Sequence, residues 1–226
     1  MKPTLDTDGR LVPREDYRIS TLNCGEEDFA VACMRSNLRY GKNQKREDVK
    51  SHHYIISFDP QDGPDNGLTV DKAQELGEKF GREQFPGHQA IVCTHPDGHN
   101  QSGNIHVHIV INSLRIENVP LLPYMDRPSD TKAGCKHRCT DAAMEYFKSE
   151  VMELCHEAGL YQIDLLNGSA NRVMRIIFVP SWSKSSGYPA KPRSVGIRSG
   201  WESLTVCLSA FMRTMWRGAS QMKSSL

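Results

Sequence analysis

Residues 95–108 read His-Pro-Asp-Gly-His-Asn-Gln-Ser-Gly-Asn-Ile-His-Val-His. His106 and His108 are two apart in an apolar run, Ile105 to Ile111, that has the character of a strand. Strand side chains alternate, so both imidazoles project from one face. The upstream run Ala90-Ile91-Val92-Cys93-Thr94 ends at His95, and the Gly/Asn/Ser-rich stretch between the runs predicts a hairpin. Paired that way, His95, His106 and His108 form a cluster of neutral imidazoles. Such a cluster can hold a divalent ion and leave room for a substrate oxygen or water. His99 is the alternative to His95; His95 is preferred because it ends a strand, and rigid elements hold ligands better than loops. Asp97, Asn104 and Asn112 are expected just behind the ligands. The ordinary alternative, a surface His-x-His pair, suits the sequence less well, because the strand is apolar on both sides and buried polar groups need partners.

The elements that must position these residues follow from periodicity and caps. Residues 17–23 read as a strand, and 26–38 as a helix with Phe29, Cys33 and Met34 on one face. A strand at 52–59 ends in Asp-Pro and a turn-rich stretch. Thr69 caps a helix to about residue 85, with Ala73, Leu76, Gly77 and Phe80 as its apolar stripe. The hairpin strands are 88–95 and 104–113, followed by a long Pro-containing loop, 114–136, of the kind that often binds or covers a ligand. Thr140 caps a last helix that Gly159 ends. The expected class is α+β: a mostly antiparallel sheet carrying the three-His site, with helices packed on one face.

His95 and Asp97, followed by Asn104-x-His106-x-His108-x-x-x-Asn112-Ser113, resemble the three-His motif of conjugative relaxases, the HUH single-strand DNA nicking enzymes. The likeness is greatest to the mobilisation nucleases of bacterial conjugative and mobilisable elements. Tyr54-Ile-Ile-Ser57-Phe58-Asp59-Pro60, then Leu68-Thr69-Val70-Asp71-Lys72-Ala73, is similar to their upstream strand, loop and helix, and residues 8–12 and 21–24 to the segment before it. The resemblance covers roughly residues 8–165. It implies a transesterification on single-stranded DNA at an origin of transfer, in which a tyrosine becomes joined to the 5′ phosphate. It also implies a divalent cofactor, usually taken as magnesium or manganese, although an all-imidazole site better suits manganese, nickel or zinc. Relaxosome accessory proteins and a coupling protein are the partners it suggests.

The nucleophile is where the chain departs from that pattern. Relatives carry it on a segment ahead of the part resembling residues 8–24, and no tyrosine precedes Tyr17 here. The expectation is therefore that the usual N-terminal strand and its tyrosine are missing, and that the chain binds metal and DNA without nicking. Tyr40, in Arg39-Tyr40-Gly41-Lys42, is a weak substitute; Tyr17 reads as an ordinary strand residue and Tyr54 as core. A non-catalytic metal- and DNA-binding protein derived from a relaxase is the alternative function. A metallohydrolase would need a general base, for which Asp97 is the nearby carboxylate.

Composition bounds the rest. A chain of 226 residues buries one sizeable core, and no apolar run approaches the ~20 residues that span a bilayer. Seven scattered cysteines point to reduced thiols in a cytoplasm. Cys135-Lys-His137-Arg-Cys139 lacks a second Cys/His pair at zinc-finger spacing and reads as structural or as a phosphate-contacting turn. Residues 1–170, the nuclease-like domain, hold 19 Lys/Arg against 26 Asp/Glu. Residues 171–226 hold 9 against 1 together with all three Trp, and are expected to be a disordered or aberrant basic tail. Because phosphate neutralisation drives DNA affinity, contacts are expected from two local clusters. One contains Arg39 and Lys42; the other contains Arg127, Lys132, Lys136 and Arg138 around His137.

Overall fold

The computed structural model describes residues 17–96, 104–162 and 164–166, with the backbone of Val179–Pro180. In chain order its elements are β1 (Arg18–Leu22), α1 (Phe29–Arg39), β2 (Ser51–Ser57), the short α2 (Asp62–Asn66) and α3 (Val70–Gln84). β3 (His88–His95), β4 (His106–Arg115), α4 (Asp141–Glu157) and β5 (Val179–Pro180) follow, with a 3-10 turn at Pro128–Thr131. The strands order β1-β3-β4-β2-β5, and each pairing is antiparallel. β5 belongs to the segment that composition sets apart and pairs only with His52 and His53; the remaining claims on 171–226 lie outside the described residues.

Alternation along the strands divides the sheet into two faces. Val107, Ile109 and Ile111 of β4, Ala90 and Val92 of β3, and Tyr54 and Ile56 of β2 point into the main core. α3 lies on this face, and its small residues set how closely: a Cβ on Gly77 would overlap Val107 Cγ1, and one on Gly81 would come within 2.9 Å of Leu22 Cδ1. α4 closes the layer through Phe147, Val151 and Leu154. The rings of Tyr54 and Phe85 (4.7 Å between centroids) and of Phe85 and Phe147 (5.2 Å) fill the space between. Gly77→Ala tests this packing. Alanine favours an isolated helix by about 1 kcal/mol, but the overlap costs about 1–3 kcal/mol by overpacking. The urea midpoint is therefore expected to fall, not rise.

The opposite face is not bare, which corrects the expectation of helices on one face only. α1 packs Phe29, Ala32 and Cys33 on Val110, with Ile91 alongside. The physical reason is visible in β3 and β4, which are apolar at odd and even positions alike; both faces need a cover. The second half of this face, towards the hairpin mouth, belongs to the histidines.

Thr69 Oγ1 accepts from the Lys72 amide (3.1 Å) and Thr140 Oγ1 from that of Ala143 (3.2 Å), as the caps require. The long loop after β4 is not an open lid. Arg115 N–H donates to Cys135 O (2.9 Å), Gly134 N–H to Arg115 O (2.8 Å) and His137 N–H to Ser113 O (2.7 Å). The buried Arg115 guanidinium donates to the carbonyls of Asp130 and Pro86. These bonds fold the loop back over the far end of the sheet. Among the described residues, no helix is long and apolar enough to cross a membrane.

Candidate metal centre

The β3–β4 hairpin sets His95 directly opposite His106 and Cys93 opposite His108. The imidazole centroids are 3.9 Å apart for His95 and His106, 4.9 Å for His95 and His108, and 5.0 Å for His106 and His108. One nitrogen from each ring lies within 4.8 Å of the others, and all three residues are buried. Spread over two strands, the donors are fixed by backbone pairing and not by a loop. The donor set fits a divalent ion: three neutral nitrogen ligands that leave coordination positions open.

Two of the rings are held from behind. His106 Nδ1 lies 3.2 Å from Asn104 O. A carbonyl only accepts, so Nδ1 carries the hydrogen and Nε2 offers its lone pair towards the cluster. The Asn104 amide in turn donates to Ser57 Oγ (2.5 Å), and Ser57 is the residue of β2 opposite His106. His108 Nδ1 lies 3.0 Å from Nε2 of His53, which like Ser57 belongs to β2. Burial lowers His53 to about 4, so this ring is neutral near pH 7.

The other sequence candidates divide. Asn104 stands behind His106, as above. Asn112 does not reach the cluster: it is four residues beyond His108, about 13 Å along the strand. There it donates to Gln89 Oε1 (3.0 Å) and accepts from the Leu114 amide (3.2 Å). Asp97 and His99 lie outside the described residues. Tyr40 caps the far end of α1 and donates its hydroxyl to Ile116 O (3.2 Å). Ile116 is ten residues past His106 on an extended strand, so Tyr40 is about 30 Å from the histidines. It is not placed to be their nucleophile.

The basic candidates also gather at that far end. Arg39 and Lys42 are exposed beside Tyr40, whose ring contacts Gly134 of the other cluster. Lys136 pairs with Asp48 (3.3 Å), and Arg138 with Asp126 (2.6 Å) and Asp130 (3.2 Å). Arg127 and Lys132 are exposed. The structure thus brings the two basic clusters together, but about 20 Å from the imidazoles along β4. His137 belongs to neither: it is buried, donates its backbone N–H into the sheet, and meets Tyr54 Oη at 2.7 Å through Nε2. The Cys135–Cys139 segment is accordingly structural.

Two residues at the site, His53 and Ser57, come from β2. The adjacent pair His52-His53 puts one ring towards the metal face, although a core or surface histidine is the plainer reading of the sequence, and Ser57 enters the sequence only through the resemblance. The missing information was that β2 is the strand beside β4.

An antiparallel α+β sheet with three imidazoles converging at a hairpin mouth defines a class of protein in which strands present a donor set able to hold a metal ion. The comparison with protein families says which. The family described as Relaxase: MobA/VirD2-like, nuclease domain, matches residues 13–160, and the chain belongs to it. Relatives include two staphylococcal proteins, each called Protein rlx, from Staphylococcus aureus. One is 28% identical over 141 residues, covering 62% of this chain and 36% of that protein. The other is 34% identical over 99 residues, covering 43% of this chain and 26% of that protein. The chain spans about a third or less of the length of the curated relatives it matches. No solved structure matches it.

Proposed function

We propose that this domain is the nicking module of a relaxase, a metal-dependent endonuclease that cuts single-stranded DNA at an origin of transfer by tyrosine transesterification. The observation that carries the reading is the buried three-imidazole cluster inside a relaxase nuclease domain. His95, His106 and His108 would hold a divalent ion, magnesium or manganese by family and manganese, nickel or zinc by ligand type. Such an ion polarises a phosphoryl oxygen and offsets the charge that develops there. The protein's part is to supply the ring nitrogens from rigid strands, to fix their tautomers, and to present the nucleophile. In the reaction a tyrosine oxygen forms the new bond to phosphorus and the bond to the 3′ oxygen breaks. The phenol proton is lost and one is gained at the 3′ hydroxyl, so a covalent 5′-phosphotyrosyl link divides one transfer into two steps.

Among the described tyrosines, the register favours Tyr17 as the nucleophile. Arg18 pairs with Thr94, so the register carried one residue further sets Tyr17 opposite His95 on the same face. It is also exposed. Tyr54 and Tyr124 are buried in the main core, Tyr146 of α4 is partly buried against it, and Tyr161 donates to Asp65. Tyr17 immediately precedes β1, an edge strand open to a DNA strand approaching the sheet. The proposal places the domain in the cytoplasm, with relaxosome accessory proteins and a coupling protein as further partners.

A labelled single-stranded origin oligonucleotide, incubated with Mn²⁺ or Mg²⁺, tests the reading in the native chain and in Tyr17→Phe and His95→Ala variants. A denaturation-resistant protein–DNA adduct is expected, lost in both variants. An adduct that survives Tyr17→Phe moves the nucleophile to another tyrosine. Cleavage without an adduct means hydrolysis. Metal-dependent binding without cleavage favours the second reading, a relaxase-derived binding protein, which gains support from how many described tyrosines are buried or bonded elsewhere.

A further inference from the structure

We propose that His53 is the positioning residue of the metal centre, accepting the Nδ1 hydrogen of His108 through its own Nε2 and so committing His108 Nε2 to the ion. The inference deepens the reading above and rests on the three imidazoles being a metal site.

The argument starts from register. On β2, His53 lies opposite Val110, and Ile55 lies opposite His108. His53 and His108 are therefore diagonal neighbours on one face, within reach of long side chains. The reach is realised: the two ring nitrogens are 3.0 Å apart and the centroids 5.2 Å. Both residues are buried.

Only one hydrogen can lie between two neutral ring nitrogens. If it sat on His53 Nε2, His108 Nδ1 would be the acceptor and its own hydrogen would be on Nε2, which could not then ligate. If it sits on His108 Nδ1, the Nε2 lone pair of His108 is available and His53 carries its one ring hydrogen on Nδ1. Ligation selects the second arrangement. His106 needs no such choice, because its partner is a backbone carbonyl, which only accepts. The centre thus has one ligand oriented by the main chain and one by a replaceable side chain. Partners of this kind are typically worth about 10–100-fold in metal affinity.

The test uses Mn²⁺ and Co²⁺ alone, with calorimetric affinity and the visible Co²⁺ spectrum as readouts, on the full chain and its variants. His53→Leu fills similar space without an acceptor and is expected to bind about 10–100-fold more weakly, with an altered Co²⁺ spectrum. His53→Gln places an amide oxygen where Nε2 stands and is expected to restore most of the affinity. His53→Asn places its polar atom where Nδ1 stands and is expected not to. A role in filling space alone would not separate Gln from Asn, and this pair keeps the test decisive if the leucine variant fails to fold. If the native chain binds ion, His106→Ala does not, and the His53 variants bind as the native chain does, the positioning role is overturned while the centre stands. If the native chain and His106→Ala are alike in taking up no ion, the centre itself fails and the role falls with it.

Discussion

Replacing His106 with alanine is expected to abolish the stabilisation that a divalent ion gives this domain. A ligand that binds only the folded state adds RT ln(1 + [L]/Kd), about 2.7 kcal/mol at a hundredfold excess over Kd. For a domain of this size that is a rise in Tm of roughly 5–10 °C. The His106 ring lies 3.9 Å from that of His95 and 5.0 Å from that of His108. Without it, one imidazole remains on each strand and the three-donor set is gone. The ion-free fold has less at stake. His106 begins β4 at the hairpin mouth, and its Nδ1 hydrogen bond to Asn104 O behind the cluster is worth about 1 kcal/mol net. Thermal melts with EDTA should therefore nearly superimpose, and melts with Mn²⁺ or Co²⁺ should separate. Adduct formation should drop by about 10³-fold, the equivalent of the several kcal/mol of charge stabilisation that a metal ion supplies. An equal metal-induced shift in the variant would show that the ion binds elsewhere.

What could be read from the sequence was local. The Gly/Asn/Ser stretch between two apolar runs gave the hairpin, and the hairpin alone is enough to face His95 towards His106 and His108. Thr69 and Thr140 fixed two helix starts, because a capping hydroxyl is a contact within three residues. What remained hidden was non-local. That β2 lies beside β4 puts His53 against His108 and Ser57 opposite His106, and no periodicity carries that information. α1 showed its apolar stripe in the sequence, but not that the stripe would cover the metal-side face. Charge counting could not say what the basic residues would meet, for a similar reason. Lys136 pairs with Asp48 and Arg138 with Asp126 and Asp130, and His137 is core. Tyr40 looked available in a polar stretch, yet its hydroxyl is bonded to a carbonyl at the far end of the sheet.

The same far end holds a second group of histidines, and it makes the fold acid-sensitive. His52 and His137 rings lie 4.9 Å apart and His88 and His137 5.4 Å, on the core face beneath Tyr54 and Phe85. His88 donates to or accepts nothing charged there: its Nδ1 meets Asn112 O at 2.9 Å. Burial, with Lys136 nearby, lowers His52 to about 4. Burial, with Arg115 nearby, lowers His88 to about 3, and His137 is lowered by burial and by the neighbouring imidazoles. In the unfolded chain each ring titrates near 6.5. Above that pH both states hold the rings neutral and stability does not depend on them. As the pH falls below about 6.5, the unfolded chain takes up protons that the folded chain refuses. Stability is then lost progressively until the folded values, about 4 and 3, are reached. At about 1.4 kcal/mol per unit, the losses are about 3 kcal/mol through His52 and about 5 kcal/mol through His88. Together they rival the 5–15 kcal/mol that typically separates folded from unfolded domains. The expected result is a urea-unfolding free energy that is flat from pH 8 to 7 and falls steeply between pH 6 and 4.5, before most carboxylates titrate. EDTA in every sample keeps the metal centre out of the measurement. His88→Asn retains a donor for Asn112 O but cannot titrate, so it should lower the slope in that window by about 1.4 kcal/mol per pH unit, one proton's worth. A native profile that stays level to pH 5 would mean that these rings are charged, or solvated, in the folded chain.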